Sequence, residues 1–148
     1  MKIALGSDHG GLELKGIVLE HLKKQGYEVV DMGTYTTDSV DYPDCAAPVC
    51  EAVLAKEADC GMLFCGTGIG ISIAANKYKG IRAALCSDVY SAKMAKQHNN
   101  AQIICMGGRV TGPDLACMIA DTWLGTEFEG GRHLERVKKI HSIEDSAV

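Results

Sequence analysis

No apolar stretch in this sequence approaches the roughly 20 residues that a membrane-spanning helix needs, so a helical membrane protein is not expected. The opening residues, Met1-Lys2-Ile3-Ala4-Leu5-Gly6-Ser7-Asp8, lack the length and the small-residue cleavage site of a signal peptide; they read as a first strand. Basic excess is also missing. A net charge of −4 argues against general nucleic-acid binding, which asks for a basic face. No Cys-x-x-Cys pair occurs among the cysteines at 45, 50, 60, 65, 86, 105 and 117, and their number is odd. Disulfide frameworks and zinc sites need clustered, patterned spacing. The thiols are therefore expected to be reduced, in a cytoplasmic protein, and used mostly as small core residues. Repeats, linkers and low-complexity tracts are absent, and 148 residues suit one domain, 1–148, with a real core.

What is present is a regular alternation of strand-like and helix-like segments. Lys2–Ser7 is a short apolar run, and Gly11–Gln25 then carries Leu12, Leu14, Ile17, Val18, Leu19 and Leu22 at helical spacing, with Gly26 as its stop. Tyr27–Met32 reads as the second strand, and a polar loop over Gly33–Tyr42 leads to Pro43, a good first-turn residue for a helix to about Ala58. Strands follow at Cys60–Cys65, Ile81–Cys86 and Ala101–Met106; helices follow at Ile71–Lys77, at Asp88 (as cap) through about Gln97, and at Pro113–Leu124. The charged stretch from about Gly131 to Ile143 is helical in pattern. Five strands separated by helices imply an α/β, three-layer, Rossmann-like sandwich around a five-stranded parallel sheet.

In such a fold ligands bind beyond the carboxyl ends of the strands. Those ends carry Asp8-His9, Cys65-Gly66-Thr67, Ser87-Asp88 and Gly107-Gly108-Arg109, whereas His98-Asn99 comes just before the fifth strand, at the opposite edge. The densest signal is Gly61-Met62-Leu63-Phe64-Cys65-Gly66-Thr67-Gly68-Ile69-Gly70: a buried strand, a cysteine, then alternating glycines ahead of a helix. Helix N-termini offer unpaired N–H donors and partial positive charge, so a thiolate base and a cradle for an oxyanion come together there. The run is G-x-G-x-G rather than the dinucleotide fingerprint G-x-G-x-x-G, which leaves nucleotide binding weakly supported and a plain connecting turn as the bland alternative. Asp8 or Ser7 reads equally well as a helix cap, and His9 as a loop residue. Arg132 and Arg136, spaced i, i+4, share a helical face that suits either solvent or a phosphate.

Taken together the residues resemble the type B ribose-5-phosphate isomerases, within a family that also holds allose-6-phosphate and galactose-6-phosphate isomerases. The resemblance runs through Gly6-Ser7-Asp8-His9, Asp41-Tyr42-Pro43, Cys65 to Gly70, Ile73-Ala74-Ala75-Asn76-Lys77, Gly80-Ile81-Arg82-Ala83, Gln97-His98-Asn99, Gly107-Gly108-Arg109-Val110 and Gly130-Gly131-Arg132-His133. It implies an aldose–ketose isomerase interconverting ribose 5-phosphate and ribulose 5-phosphate through a cis-enediolate, without metal or cofactor, with allose 6-phosphate as the alternative substrate. Cys65 would be the base, Thr67 a proton donor or shuttle, and the backbone of Gly66, Thr67, Gly68, Ile69 and Gly70 an anion hole. His98 would open the sugar ring with Asp8 as partner. Arg132, Arg136 and His9 would grip the phosphate, Asn99 and Arg109 would contact the sugar, and Tyr42 would line the pocket. Some family members use a glutamate just after the glycine loop; Ile71 stands there, which favours Cys65. The resemblance further implies a homodimer or dimer of dimers with sites shared between subunits. Sugar length, five or six carbons, is left open, since a methylene-scale change shifts preference by only about 1–3 kcal/mol. The intact Cys65, His98 and arginines argue against the galactose-6-phosphate branch. A non-catalytic sugar-phosphate or nucleotide binder is the reading from another class.

Overall fold

The computed structural model describes residues 1–147. Its elements alternate as β1 (Lys2–Ser7), α1 (Leu12–Lys24), β2 (Glu28–Asp31), α2 (Tyr42–Leu54), β3 (Cys60–Cys65), α3 (Ile69–Ala75), β4 (Ala83–Leu85), α4 (Val89–Gln97), β5 (Ile103–Gly107), α5 (Pro113–Leu124) and α6 (Arg132–Ser146). The strands form one five-stranded sheet in the order β2-β1-β3-β5-β4, and every pairing is parallel. This is the α/β Rossmann-like architecture expected from the alternation.

Period-two alternation along the strands divides the core between the two faces of the sheet. Ile3, Leu5, Met62, Phe64, Ile104 and Met106 meet α1, α4 and α5, with the fully buried Trp123 among them. Ala4, Leu63, Cys65, Ile103 and Cys105 face the other way, against Val49 and Cys50 of α2 and Ile71 of α3. That parity puts the Cys65 side chain on the α2–α3 face. Burial in these layers pushes the Cys50 thiol up to about 11 and those of Cys60 and Cys86 to about 12, so they stay neutral and act as packing groups.

Several boundaries differ from the sequence reading. Helix α2 ends at Leu54 rather than near Ala58, because Lys56 turns to φ +59 and cannot continue a right-handed helix. The fourth strand keeps only Ala83–Leu85, the residues that pair with β5. Helix α3 starts at Ile69, two residues earlier than expected, with Gly68 at φ +80 as its cap. Gly26 does adopt the left-handed conformation of a helix stop, at φ +88, and Asp88 caps α4 by accepting the Ser91 N–H at 2.6 Å.

One buried cation organises the connection after β2. Lys15 of α1 is 1% exposed, and its Nζ donates to Asp31 Oδ1 at 2.7 Å and to the Thr34 carbonyl at 2.6 Å. Ser7 and Thr34 complete the anchor: Ser7 N–H donates to Gly33 O, and Thr34 N–H to Ser7 O. The polar loop that follows β2 is thus fixed against the carboxyl end of β1. Among the described residues no helix is long and apolar enough to cross a membrane.

Candidate active site

The site grows from the carboxyl ends of β1 and β3, which are neighbours because Ser7 pairs with Phe64. Beyond that pair the chain turns twice. In the first turn Asp8 is 7% exposed; its N–H donates to Phe64 O, and its Oδ1 accepts the N–H groups of Gly10 at 2.9 Å and Gly11 at 3.1 Å. His9 Nδ1 accepts the Val40 N–H at 3.2 Å, so the neutral ring carries its proton on Nε2.

In the second turn the Cys65 sulfur accepts the Gly68 N–H at 3.0 Å, and Thr67 Oγ1 accepts the Ile69 N–H at 3.2 Å. Two of the five loop donors expected for an anion are therefore engaged inside the loop. The N–H groups of Gly66, Thr67 and Gly70 donate to no other described residue. Helix α3 is only seven residues long, so the sulfur's polar partner is one discrete N–H rather than a long helix's field. Arg109 reaches this turn from the end of β5. Its N–H donates to Gly66 O, and its guanidinium lies over Gly66, where an added Cβ would be 2.9 Å from an Arg109 terminal nitrogen. Tyr42 closes the other side: a Cβ on Gly70 would meet its ring carbons at 2.7–3.0 Å. A cleft of about 470 Å³ opens on the α1–α5 side of these turns, lined by His9, Gly10, Leu12, Ile17, Arg109 and Pro113 among others.

Asp8, His9, Tyr42, Cys65, the Gly66–Gly70 loop and Arg109 are thus brought together. His98, Asn99, Arg132 and Arg136 are not. Cys65 pairs with Gly107 while Gly61 pairs with Ile103, so His98, five residues before Ile103, lies beyond the amino end of β5. Four residues of strand alone put about 13 Å between the two ends. Within one chain Asp8, the expected partner of His98, lies at the Cys65 end of the sheet.

At that far end His98 stacks on His133, ring centroids 4.1 Å apart and interplanar angle 8°. Glu129 Oε2 is 4.0 Å from His98 Nε2 and 3.8 Å from His133 Nε2, and it accepts the Gln97 side-chain amide at 2.8 Å. That amide bond, ahead of the two histidines, holds Glu129 below the usual carboxylate range. The three donor atoms lie within 4.8 Å of one another, but parallel rings aim their in-plane lone pairs side by side and not at one centre. Arg132 and Arg136 extend from α6 into solvent next to this cluster.

Glu129 was missed in the sequence because nothing local marks it, and His133 was visible only as part of the Gly130–His133 motif; their contacts with His98 come from packing. Burial, then the neighbouring His98, Arg132 and Arg136, hold the His133 imidazole below its usual value, with Glu129 opposing. The unfolded chain thus takes up this proton at higher pH than the folded one, and the associated stability is present above about pH 6.5 and lost as the pH falls below it. Thermal melts are expected to show a drop in midpoint between pH 7.5 and 5.5 that is smaller in His133→Gln; equal drops would assign the acid sensitivity to other groups.

Comparison with known proteins places the fold in a family. A family described as Ribose/Galactose Isomerase matches residues 3–140. Ribose-5-phosphate isomerase B of Escherichia coli K12 is 52% identical over 143 residues, covering 97% of this chain and 96% of that protein. The structure of a ribose-5-phosphate isomerase B from Clostridium thermocellum superposes with a TM-score of 0.97 at 57% identity, covering 98% of each chain. That of Mycoplasma genitalium, solved with bound ribulose-5-phosphate, gives 0.93 at 42% identity, with 99% of this chain and 97% of that one covered. With its fold and nearly its whole length matched in this way, the chain belongs to the ribose/galactose isomerase family.

Proposed function

We infer that this protein is an aldose–ketose isomerase interconverting ribose 5-phosphate and ribulose 5-phosphate, with Cys65 as the base. The observation that carries the assignment is the Cys65 sulfur at a strand end, receiving the Gly68 N–H in a loop where the N–H groups of Gly66, Thr67 and Gly70 donate to no other described residue. In the open-chain aldose the thiolate removes the proton from C2, and the electron pair moves through C1 onto O1, forming a cis-enediolate. The N–H groups of Gly66, Thr67 and Gly70 stabilise the charge on the oxygens. Thr67 passes a proton between O1 and O2, and Cys65 returns its proton to C1, leaving the ketone at C2. Asp8 and His9, with Tyr42 as a wall, hold the sugar over the sulfur. Arg109 supplies positive charge at the same mouth.

Ring opening and phosphate binding need the residues at the other end of the sheet. A second copy of the chain would bring His98 as ring-opening acid, Asn99 as a hydroxyl contact, and Arg132 and Arg136 as the phosphate grip, to the first copy's Cys65. Two features support a homodimer, or a pair of dimers. Helix α6 buries only His133 and Val137, while Leu134, Ile140 and Ile143 stay 40%, 38% and 69% exposed. Its two arginines are also exposed. Thiols kept neutral by burial fit a reducing, cytoplasmic setting.

The assay is conversion of ribose 5-phosphate to the ketose by purified protein with no addition; inactivity there combined with turnover of allose 6-phosphate would change the sugar and keep the chemistry. Subunit sharing has its own test. Cys65→Ser and His98→Asn, each inactive alone, are expected to recover about a quarter of wild-type activity when unfolded and refolded together, because half the dimers are mixed and each mixed dimer holds one intact site. No recovery would place both groups in a single chain's site.

A further inference from the structure

The turn that carries His98 and Asn99 has an unusual support. At Asn100 the backbone turns to φ +45, and the carbonyls of Asn99 and Asn100 both point to the same side chain. That side chain is Arg82, whose Nε donates to Asn99 O at 2.9 Å and whose terminal nitrogen donates to Asn100 O at 2.9 Å. The remaining terminal nitrogen donates to His141 Nε2 at 2.7 Å. Because a guanidinium only donates, His141 accepts there as a neutral ring with its proton on Nδ1. Arg82 itself is fixed from both sides by Gln102, whose side-chain oxygen accepts the Arg82 N–H at 2.8 Å and whose N–H donates to the Arg82 carbonyl at 3.1 Å. Gln102 is tied in turn to Gly80 O at 2.7 Å. Two carbonyls drawn to one point repel each other unless a cation lies between them, and a planar fork with donors at fixed spacing meets both at once. His141 stands on α6, the helix of Arg132 and Arg136.

We propose that Arg82 is a positioning residue for ring opening: it fixes the turn bearing His98 and Asn99 and joins it, through His141, to the helix bearing the phosphate-binding arginines. The proposal rests on the isomerase reading above. Arg82 touches no substrate. It sets where His98 stands relative to a sugar whose phosphate is held by α6, so the acid and the phosphate grip keep one spacing. A displacement of about 1 Å at such a group costs on the order of 100-fold in rate.

The chemistry of the two substrates separates this role from a general structural one. Ribose 5-phosphate is mostly a furanose, closed between C1 and O4, and must be opened by the acid. Ribulose 5-phosphate has its ketone at C2 and its O5 esterified, so it cannot close a five-membered ring and reaches the base as an open chain. Exchange of its C1 hydrogen with D2O needs Cys65 and the loop but no ring opening. Arg82→Gln is therefore expected to lower kcat for ribose 5-phosphate by about 10–100-fold, with KM within a few-fold, while deuterium wash-in to ribulose 5-phosphate stays within about threefold of wild type. Arg82→Lys keeps the charge and the stem and guards against failure to fold; one ammonium cannot match the fork, so it is expected to recover only part of the loss. Equal losses in both reactions, or no loss in either for both variants, would overturn the proposal. Wild-type protein inert in both assays would remove the isomerase reading itself, a distinct result.

Discussion

Cys65→Ser is expected to lower kcat for ribose 5-phosphate by about 10³–10⁴-fold while leaving KM and the thermal midpoint close to wild type. Serine is nearly isosteric, and its oxygen can take over the Gly68 N–H that the sulfur accepts at 3.0 Å, so the turn has no reason to rearrange. What is lost is basicity of the right strength: a hydroxyl is almost never ionised near neutral pH, and nothing in the turn is placed to ionise it. The carboxylate of the neighbouring turn, Asp8, already spends Oδ1 on the N–H groups of Gly10 and Gly11. Steady-state kinetics on both proteins, with circular dichroism as the control for folding, decide the matter. A variant retaining more than about a tenth of the wild-type rate would move the base away from Cys65, since a general base contributes at least about 10²-fold.

Gly68→Ala is expected to combine two effects. The residue has φ +80, where an L side chain costs about 1–2 kcal/mol. The new Cβ would also be 2.6 Å from Leu85 Cδ1 and 2.9 Å from the Met106 carbonyl carbon; the leucine can swing away but the β5 backbone cannot. Overpacking of this kind costs about 1–3 kcal/mol more. Relief would come by shifting the turn, which misplaces both the N–H on the sulfur and the free N–H groups beside it. A loss of about 10²–10³-fold in kcat is expected, as for removal of an oxyanion-hole donor, together with a lower thermal midpoint. An active variant with an unchanged midpoint would show that the loop's path is not what positions the thiol.

The sequence carried some of this plainly. β1, β3 and α5 came out as read because each is an apolar run with a sharp boundary: Lys2 and Ser7, Cys60 and Cys65, Pro113 and Leu124. The placement of His98 away from Cys65 was also legible, since it follows from strand direction alone. Ends set by pairing were not. Ile81 and Arg82 have the apolar company of a strand, but ladder partners on β5 begin only at Ala83. Nor could the supports of the site be read. Lys15 meets Asp31 across 16 positions, and Arg82 meets His141 across 59. Arg82 lies inside one of the motifs that carried the family resemblance, so its presence was visible while its bonds were not.

The buried ammonium of Lys15 has a consequence for how the molecule breathes. A nine-residue connection without regular structure, residues 33–41, ordinarily opens on its own at little cost. Here, lifting it away strips the Thr34 carbonyl from a cation that has no water to replace it, and breaks the exchange of N–H bonds with Ser7. Its first two residues, Gly33 and Thr34, are therefore locked into the same cooperative unit as α1 and the central strands. The amide hydrogen of Thr34 belongs among the slowly exchanging ones, like those of a core strand.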